Sequence, residues 1–219
     1  MLFDLRSRGR RRTVQAVYLG LAVLMGGGLI LFGVGTGSGF GGLLNAFSGN
    51  GSNNQSAQIS QAEKTAIKQT QKDPNSAAAW GALLTARYQN ASSSGFDTAT
   101  NTYTTAGKKE LAKSTDAWQK YVALVKNPAN NLAIFAGNAY ATLGQYADAA
   151  SAWEAATEAD PTAVKSYECL AMTAYAAQQT RKGDLAAAKA VSLVPKASRK
   201  AITQQIDLAK TQPSAAQVC

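Results

Sequence analysis

Small and apolar residues recur at helical spacing along most of the chain. Ala149, Trp153 and Ala156 are separated by four and three residues, so they lie on one face of a helix. Gly144 predicts a tight turn before this helix. Pro161 predicts the helix end, because proline disfavours helical geometry in the residue before it. The pattern therefore predicts a hairpin of two short helices that approach closely where alanine and glycine stand.

The prolines that follow helical stretches indicate an internal repeat. They stand at positions 74, 128, 161 and 195, so the last two intervals are nearly equal and the first is longer. The two equal intervals match the period of a helix–turn–helix repeat, which is about 34 residues. The excess in the first interval falls in a polar insertion at 90–107. Such a loop is either functional or disordered, and we expect an ordered contact to a partner or back to the groove of the repeat domain.

These positions resemble the tetratricopeptide repeat family. The segment 130–163 matches the family pattern best, at Gly137, Tyr140, Ala149, Trp153, Ala156 and Pro161. It departs from the pattern at Ala133 and Ala136, and the following repeat has Gly183 where alanine is usual and Tyr175 one place late. The resemblance implies an all-α fold: a helical repeat domain over 57–210, with about three helix hairpins and flanking helices.

The first 35 residues predict a membrane anchor. Residues 1–13 contain five arginines and one aspartate, and residues 14–56 contain no charged side chain. A helix over 14–35 would be roughly 33 Å long, enough to cross a bilayer core. This length favours a retained anchor over a signal peptide, whose apolar core is about 7–15 residues. The arginines place the N-terminus in the cytoplasm and the repeats outside it. We therefore expect a single-pass protein of the cytoplasmic membrane.

Small residues within this span indicate a place where another transmembrane helix can pack. Ala16 and Gly20 are four residues apart, as are Ala22 and Gly26. Pairs of this kind allow two helix backbones to approach closely in a membrane. The predicted partners are therefore the lipid bilayer and, through these positions, a further membrane helix.

Two segments outside the repeats are expected to be linkers. Residues 36–56 are rich in Gly, Ser and Asn. Within them, Phe40 and Phe47 are seven residues apart with leucines between, which fits either a short amphipathic turn on the membrane surface or a flexible linker. Residues 211–219 are expected to be a frayed tail.

The composition argues against catalysis and against nucleic-acid binding. The chain has no histidine, the commonest general base and metal ligand. Glu154 and Glu158 lie four apart on an exposed helix face, where solvation or pairing with lysine explains them. The net charge is +9, but the 17 basic and 12 acidic residues of 57–219 are too dispersed for a nucleic-acid surface. We predict no enzyme activity, no cofactor, no metal and no nucleic-acid partner.

The two cysteines, Cys169 and Cys219, form neither a disulfide scaffold nor a metal-binding pattern. Cys169 lies in an apolar helical stretch, where it fits a small buried hydrophobic residue. Pairing between the two is possible outside the cytosol, but the sequence does not argue for it.

The resemblance also implies a concave groove, lined by the first helix of each hairpin, that binds an extended peptide or a helix of another protein. Projected from the repeat register, the groove residues are Tyr88, Gln89, Asn131, Ile134, Asn138, Lys165, Glu168, Met172 and Tyr175. Asn138 and Lys165 would together hold a carboxylate or a backbone carbonyl. Taken singly, each residue is explained more simply as part of a solvated helix face.

Two functional hypotheses follow from these predictions. The first is a membrane-anchored scaffold that assists an exported protein in secretion or envelope assembly, similar in plan to ancillary subunits of bacterial secretion translocons. The second is a structural accessory subunit of a larger membrane complex, held through the Gly-rich transmembrane helix.

Overall fold

The computed structural model describes residues 52–219, and their fold is all-α, as predicted. The helices are α1 (Ser52–Lys72), α2 (Ala77–Ser94), α3 (Thr105–Val122), α4 (Asn130–Thr142), α5 (Tyr146–Ala159), α6 (Val164–Ala176), α7 (Thr180–Leu193) and α8 (Lys196–Thr211), followed by a 3₁₀ helix, Pro213–Val218. A two-stranded antiparallel ribbon, β1 (Phe96–Asp97) and β2 (Thr102–Tyr103), lies between α2 and α3. No helix within 52–219 is both long and apolar enough to cross a bilayer. The predicted span 14–35 lies outside the described residues.

The two hairpins α4–α5 and α6–α7 are regular repeats of one another. Each of the four helix boundaries in the second hairpin follows its counterpart in the first by the same interval, the predicted repeat period. The turns also match, because Gly144 and Gln178 both have positive φ angles, 75° and 60°. In each turn the next backbone N–H donates to a carbonyl five residues earlier, at 2.9 Å and 2.8 Å. Glycine adopts this left-handed geometry without steric cost, which accounts for the turn predicted at Gly144.

Consecutive helices pack on one another from α1 to α8, and α5 against α6 joins the two regular hairpins. The shared core is built largely from alanine, with Trp153 as its largest fully buried side chain. At the far end, α8 covers α6 with Ile206 and Ala209, both buried. The stability of α4 and α6 depends mainly on burial in these interfaces, because isolated helices of 13 residues are marginal in water.

Large and small side chains face each other inside each hairpin. In the first regular hairpin, Gly137 of α4 lies against the indole of Trp153 on α5. In the second, the large side chain comes from the first helix and at a different position of the repeat, because Tyr175 of α6 lies against Gly183 of α7. A methyl group on Gly183 would lie 2.6 Å from two ring carbons of Tyr175. The two departures from the family pattern, Gly183 and Tyr175, therefore compensate for one another.

The insertion at 90–107 is ordered and packs on its own helices. Phe96 and Tyr103 are paired across the ribbon, with ring centroids 5.0 Å apart. Gly95 and Gly107 face each other so closely that a methyl group on either would overlap the backbone of the other. Thr104 caps α3, since its hydroxyl accepts from the Gly107 N–H at 3.1 Å. The insertion thus closes the turn between α2 and α3.

The expectation of a frayed tail is wrong. The 3₁₀ helix Pro213–Val218 packs against α4, α6 and α8, and Ala216 is fully buried. The small side chains of this segment permit its close contact with the three helices.

Gly137→Ala is expected to lower the free energy of unfolding by about 1–3 kcal/mol, because overpacking forces the core apart. A Cβ atom there would lie 2.7 Å from Cε2 and Nε1 of Trp153. Helix propensity alone predicts the opposite sign, a gain of about 1 kcal/mol. Urea unfolding followed by circular dichroism measures the change. The control is Ala147→Gly at an exposed position of α5, which should cost about 0.5–1 kcal/mol. Stabilisation by Gly137→Ala would contradict the close approach of α4 and α5.

Candidate functional site

Six of the predicted groove residues occupy equivalent positions in the two regular hairpins. Asn131, Ile134 and Asn138 lie on α4, and Lys165, Glu168 and Met172 lie one repeat later on α6. Phe135 and Cys169 are a further equivalent pair between them. We call the surface formed by these eight residues the first-helix face.

The α4 half of the first-helix face is covered by α2. The ring of Tyr88 stacks on Phe135, with centroids 4.6 Å apart and planes 16° apart. Asn138 Nδ2 donates a hydrogen bond of 3.2 Å to the Tyr88 hydroxyl. Burial raises the pKa of Tyr88 above its usual value, and the neighbouring Tyr103 adds to the effect. Gln89, the next residue on α2, is half-buried.

The α6 half is covered by residues 213–219, which we call the tail. Cys219 forms a disulfide with Cys169 of α6. Its Sγ lies 3.9 Å from Sδ of Met172, and Gln217 Nε2 donates to the Tyr146 hydroxyl at 3.4 Å. The residues under the tail, Cys169 and Met172, are the repeat equivalents of Phe135 and Asn138 under Tyr88. The tail therefore takes on α6 the place that Tyr88 takes on α4.

The disulfide is the strongest interaction that holds the tail. Ala216 is the one fully buried residue among 213–219, Ala215 and Cys219 are half-buried, and the other four are exposed. Burying a methyl-sized group contributes about 0.8 kcal/mol, whereas ordering one residue's backbone costs about 1–2 kcal/mol. The non-covalent contacts of the tail are thus few beside the covalent bond that joins Cys219 to Cys169.

Three oxygen atoms on the first-helix face are buried and accept no hydrogen bond from the residues that the structure describes. They are Oδ1 of Asn131, Oδ1 of Asn138 and Oε1 of Glu168. Lys165 Nζ lies 3.6 Å from this Glu168 oxygen, an ion pair too long for a hydrogen bond. A buried acceptor without a donor costs about 1–3 kcal/mol. The face therefore contains three acceptors that a hydrogen-bond donor would stabilise. Ile134, between these polar groups, is half-buried against the core.

Tyr175, the remaining predicted groove residue, lies elsewhere. Its hydroxyl donates to Asp184 Oδ1 at 2.7 Å, and Lys210 Nζ stands 4.7 Å from its ring centroid. Burial raises the pKa of this phenol. Together with Gly183, these contacts place Tyr175 in the packing of α6 with α7 and α8, and not with the residues under the tail.

A second concave region lies among α5, α6 and α7, with a cavity volume of ≈ 530 Å³. Glu154, Glu158, Arg181 and Lys182 line it together with Leu170 and the exposed Leu185. Lys182 Nζ lies 2.7 Å from Glu154 Oε2, so the first carboxylate of the acidic pair is ion-paired. Within residues 52–219 no cluster of His, Cys, Asp or Glu is suited to a metal ion. The cavity combines a salt bridge with an apolar floor.

Sequence reasoning missed Phe135 and the whole of the tail as parts of this surface. The sequence contains one indication that Phe135 and Cys169 belong to this surface. Cys169 directly follows the predicted Glu168 and stands one repeat after Phe135. Comparison with models of known protein families and with curated protein sequences found no match.

Tyr88→Phe is expected to reduce the loss of stability at alkaline pH. Because the pKa of Tyr88 is raised above 10.0 in the fold, the folded chain holds the phenol proton more tightly than the unfolded chain. This stabilisation is complete below the unfolded pKa and is lost as pH rises through the folded pKa. The urea concentration at the midpoint of unfolding should fall more steeply with pH, between about pH 8 and about pH 11, in the parent chain than in Tyr88→Phe. Parallel curves would contradict the burial of this hydroxyl.

Proposed function

We propose that the protein is a tetratricopeptide-repeat-like scaffold whose first-helix face binds a peptide segment of another protein. The observation that carries this proposal is the docked tail. A short helical segment with small side chains, Pro213–Val218, already packs against α4 and α6. The regular period of the helices supports the family resemblance.

The unpartnered acceptors define the chemistry of the bound segment. Asn131, Asn138 and Glu168 each present a buried oxygen that needs a donor. Free backbone N–H groups, or a lysine or arginine side chain, would supply these donors. The partner segment is therefore a peptide with small apolar side chains for the α6 half and exposed donors for the polar positions. No covalent chemistry is part of this function.

The proposed location is the outer side of the cytoplasmic membrane, with residues 14–35 as the anchor. The disulfide between Cys169 and Cys219 supports an extracytoplasmic repeat domain, because disulfides form and persist in oxidising compartments. The uncharged stretch 14–56 and the arginines before it support the orientation. The partner is then an exported protein or the exposed part of a membrane protein.

The alternative is an accessory subunit held in a membrane complex through the anchor. The spacing of Ala16 with Gly20 and of Ala22 with Gly26 favours it. In that case an unrelated anchor in place of 14–35 abolishes association with the complex. A scaffold that works through the first-helix face keeps its partner after the same exchange.

Photo-crosslinking in native membranes tests the scaffold proposal, with the full-length chain used as isolated and after reduction by a dithiol. Crosslinkers are placed at Asn131 and Lys165 on the first-helix face, and at Leu185 on α7 as the control site. We expect the two face positions to capture the same protein and Leu185 to capture none of it.

A matched pair of charge reversals completes this experiment. Lys165→Glu should strengthen capture at Asn131, because it removes the cation beside Glu168 and adds an acceptor for the donor groups of the partner. Lys189→Glu makes the same charge change at an exposed position of α7 and should leave capture unchanged. Capture that Lys165→Glu fails to strengthen, or that is equal at Leu185, would contradict binding of a donor-bearing segment on this face.

A further inference from the structure

We propose that the tail is a redox-controlled cover: its disulfide closes the α6 half of the first-helix face, and reduction opens it. This inference rests on the proposed function, because it describes how access to the same surface is regulated. The cover is residues 213–219, and the surface beneath it contains Cys169 and Met172.

The closed state follows from the burial of the residues under the tail. Cys169 is fully buried and Met172 is 1% exposed. Cys219 lies directly over both, bonded to the first and 3.9 Å from the sulfur of the second. A partner segment cannot reach these side chains while the tail is in place. In this state only the outer part of the face, with the exposed Lys165, is accessible.

The open state follows from the weakness of the remaining tail contacts. Four of the seven tail residues are exposed, and the side-chain hydrogen bond from Gln217 to Tyr146 is long, at 3.4 Å, and exposed. Ala216 is the one tail residue that is fully buried. These contacts oppose the conformational entropy that is lost when the residues of the tail are ordered. Once the disulfide is broken, the undocked tail is therefore the favoured state.

The chemistry of opening is thiol–disulfide exchange with a protein dithiol. Cys219 is half-buried and Cys169 is fully buried, so the attacking thiolate reaches the Cys219 sulfur first. Attack there breaks the bond to Cys169, which leaves as a thiolate and takes up a proton. The second thiol of the donor then attacks the mixed disulfide and releases Cys219 as a thiol. In total one dithiol is oxidised to a disulfide, and one disulfide of this chain is reduced to two thiols.

The rate of alkylation at Cys169 by N-ethylmaleimide tests the inference in the full-length chain. Cys219→Ser breaks the covalent link and leaves Cys169 as the one thiol. A second variant adds Ala216→Glu, which removes the tail from the surface because a charged side chain cannot occupy a fully buried alanine site. The reference for an exposed thiol is Leu185→Cys in a chain with both native cysteines changed to serine, since Leu185 is 66% exposed.

If the disulfide holds the tail, Cys169 is alkylated at rates that agree within about tenfold in Cys219→Ser and in the variant that adds Ala216→Glu. Both rates then lie within about 100-fold of the rate at the exposed reference thiol. A rate that rises more than about tenfold on addition of Ala216→Glu shows that the tail docks without its disulfide, and overturns the inference. If the two alkylation rates agree but both are more than about 100-fold slower than the exposed reference, something other than the tail covers Cys169. That result also overturns the inference. Unchanged helical circular dichroism confirms that each variant is folded.

This measurement involves no partner protein, so its outcome is independent of the proposed function. If Cys169 becomes reactive but the face captures no protein before or after reduction, the cover exists and the scaffold proposal fails. If a partner is captured equally from the oxidised chain and from Cys219→Ser, the scaffold proposal stands and the redox control fails.

Discussion

The close approach of paired helices is the constraint on which the rest of the structure depends. Gly137 allows the indole of Trp153 to lie against the backbone of α4, and Gly183 allows the ring of Tyr175 to lie against α7. Each contact needs one small and one large partner, so the size of either residue fixes that of the other. Protein interiors are packed at close to crystal density, and such contacts leave little freedom in the helix spacing. This spacing in turn sets which side chains of α4 and α6 are left for the first-helix face.

The first-helix face shows how equivalent repeat positions acquire different roles. Phe135 and Asn138 are covered by Tyr88 of the preceding hairpin, and Cys169 and Met172 are covered by the tail. The tail follows α8 after a single residue, so its local concentration at α6 is on the order of millimolar even when it is undocked. In the oxidised chain the disulfide holds this tethered occupant on α6. In the proposed reduced state its few remaining contacts leave the surface open to a partner segment.

Local patterns were sufficient to predict the hairpins. The turn at Gly144, the end of α5 before Pro161 and the flanking helix α8 depend on residues close together in sequence. Repeat spacing then placed Asn138 and Met172 on one surface. Contacts that join distant segments were not predictable in this way. The stack of Tyr88 on Phe135 spans the 90–107 insertion, whose geometry no periodicity encodes. The tail has a composition typical of a disordered end, and its docking depends on a disulfide that joins residues far apart in the chain. The anchor prediction and residues 36–51 of the linker prediction lie outside the part of the chain that the structure describes. The linker prediction is wrong for residues 52–56, which belong to α1.

Docking of the tail on α6 depends on the covalent bond between Cys169 and Cys219. Peptide mapping by mass spectrometry of the full-length chain detects this bond directly, with free thiols blocked by maleimide on isolation and no reductant at any step. We expect one linked peptide pair that contains Cys169 and Cys219, and neither cysteine blocked. Two separate peptides, each with a maleimide-blocked cysteine, would show that the chain does not carry this bond, and would contradict both the covered face and its control by reduction.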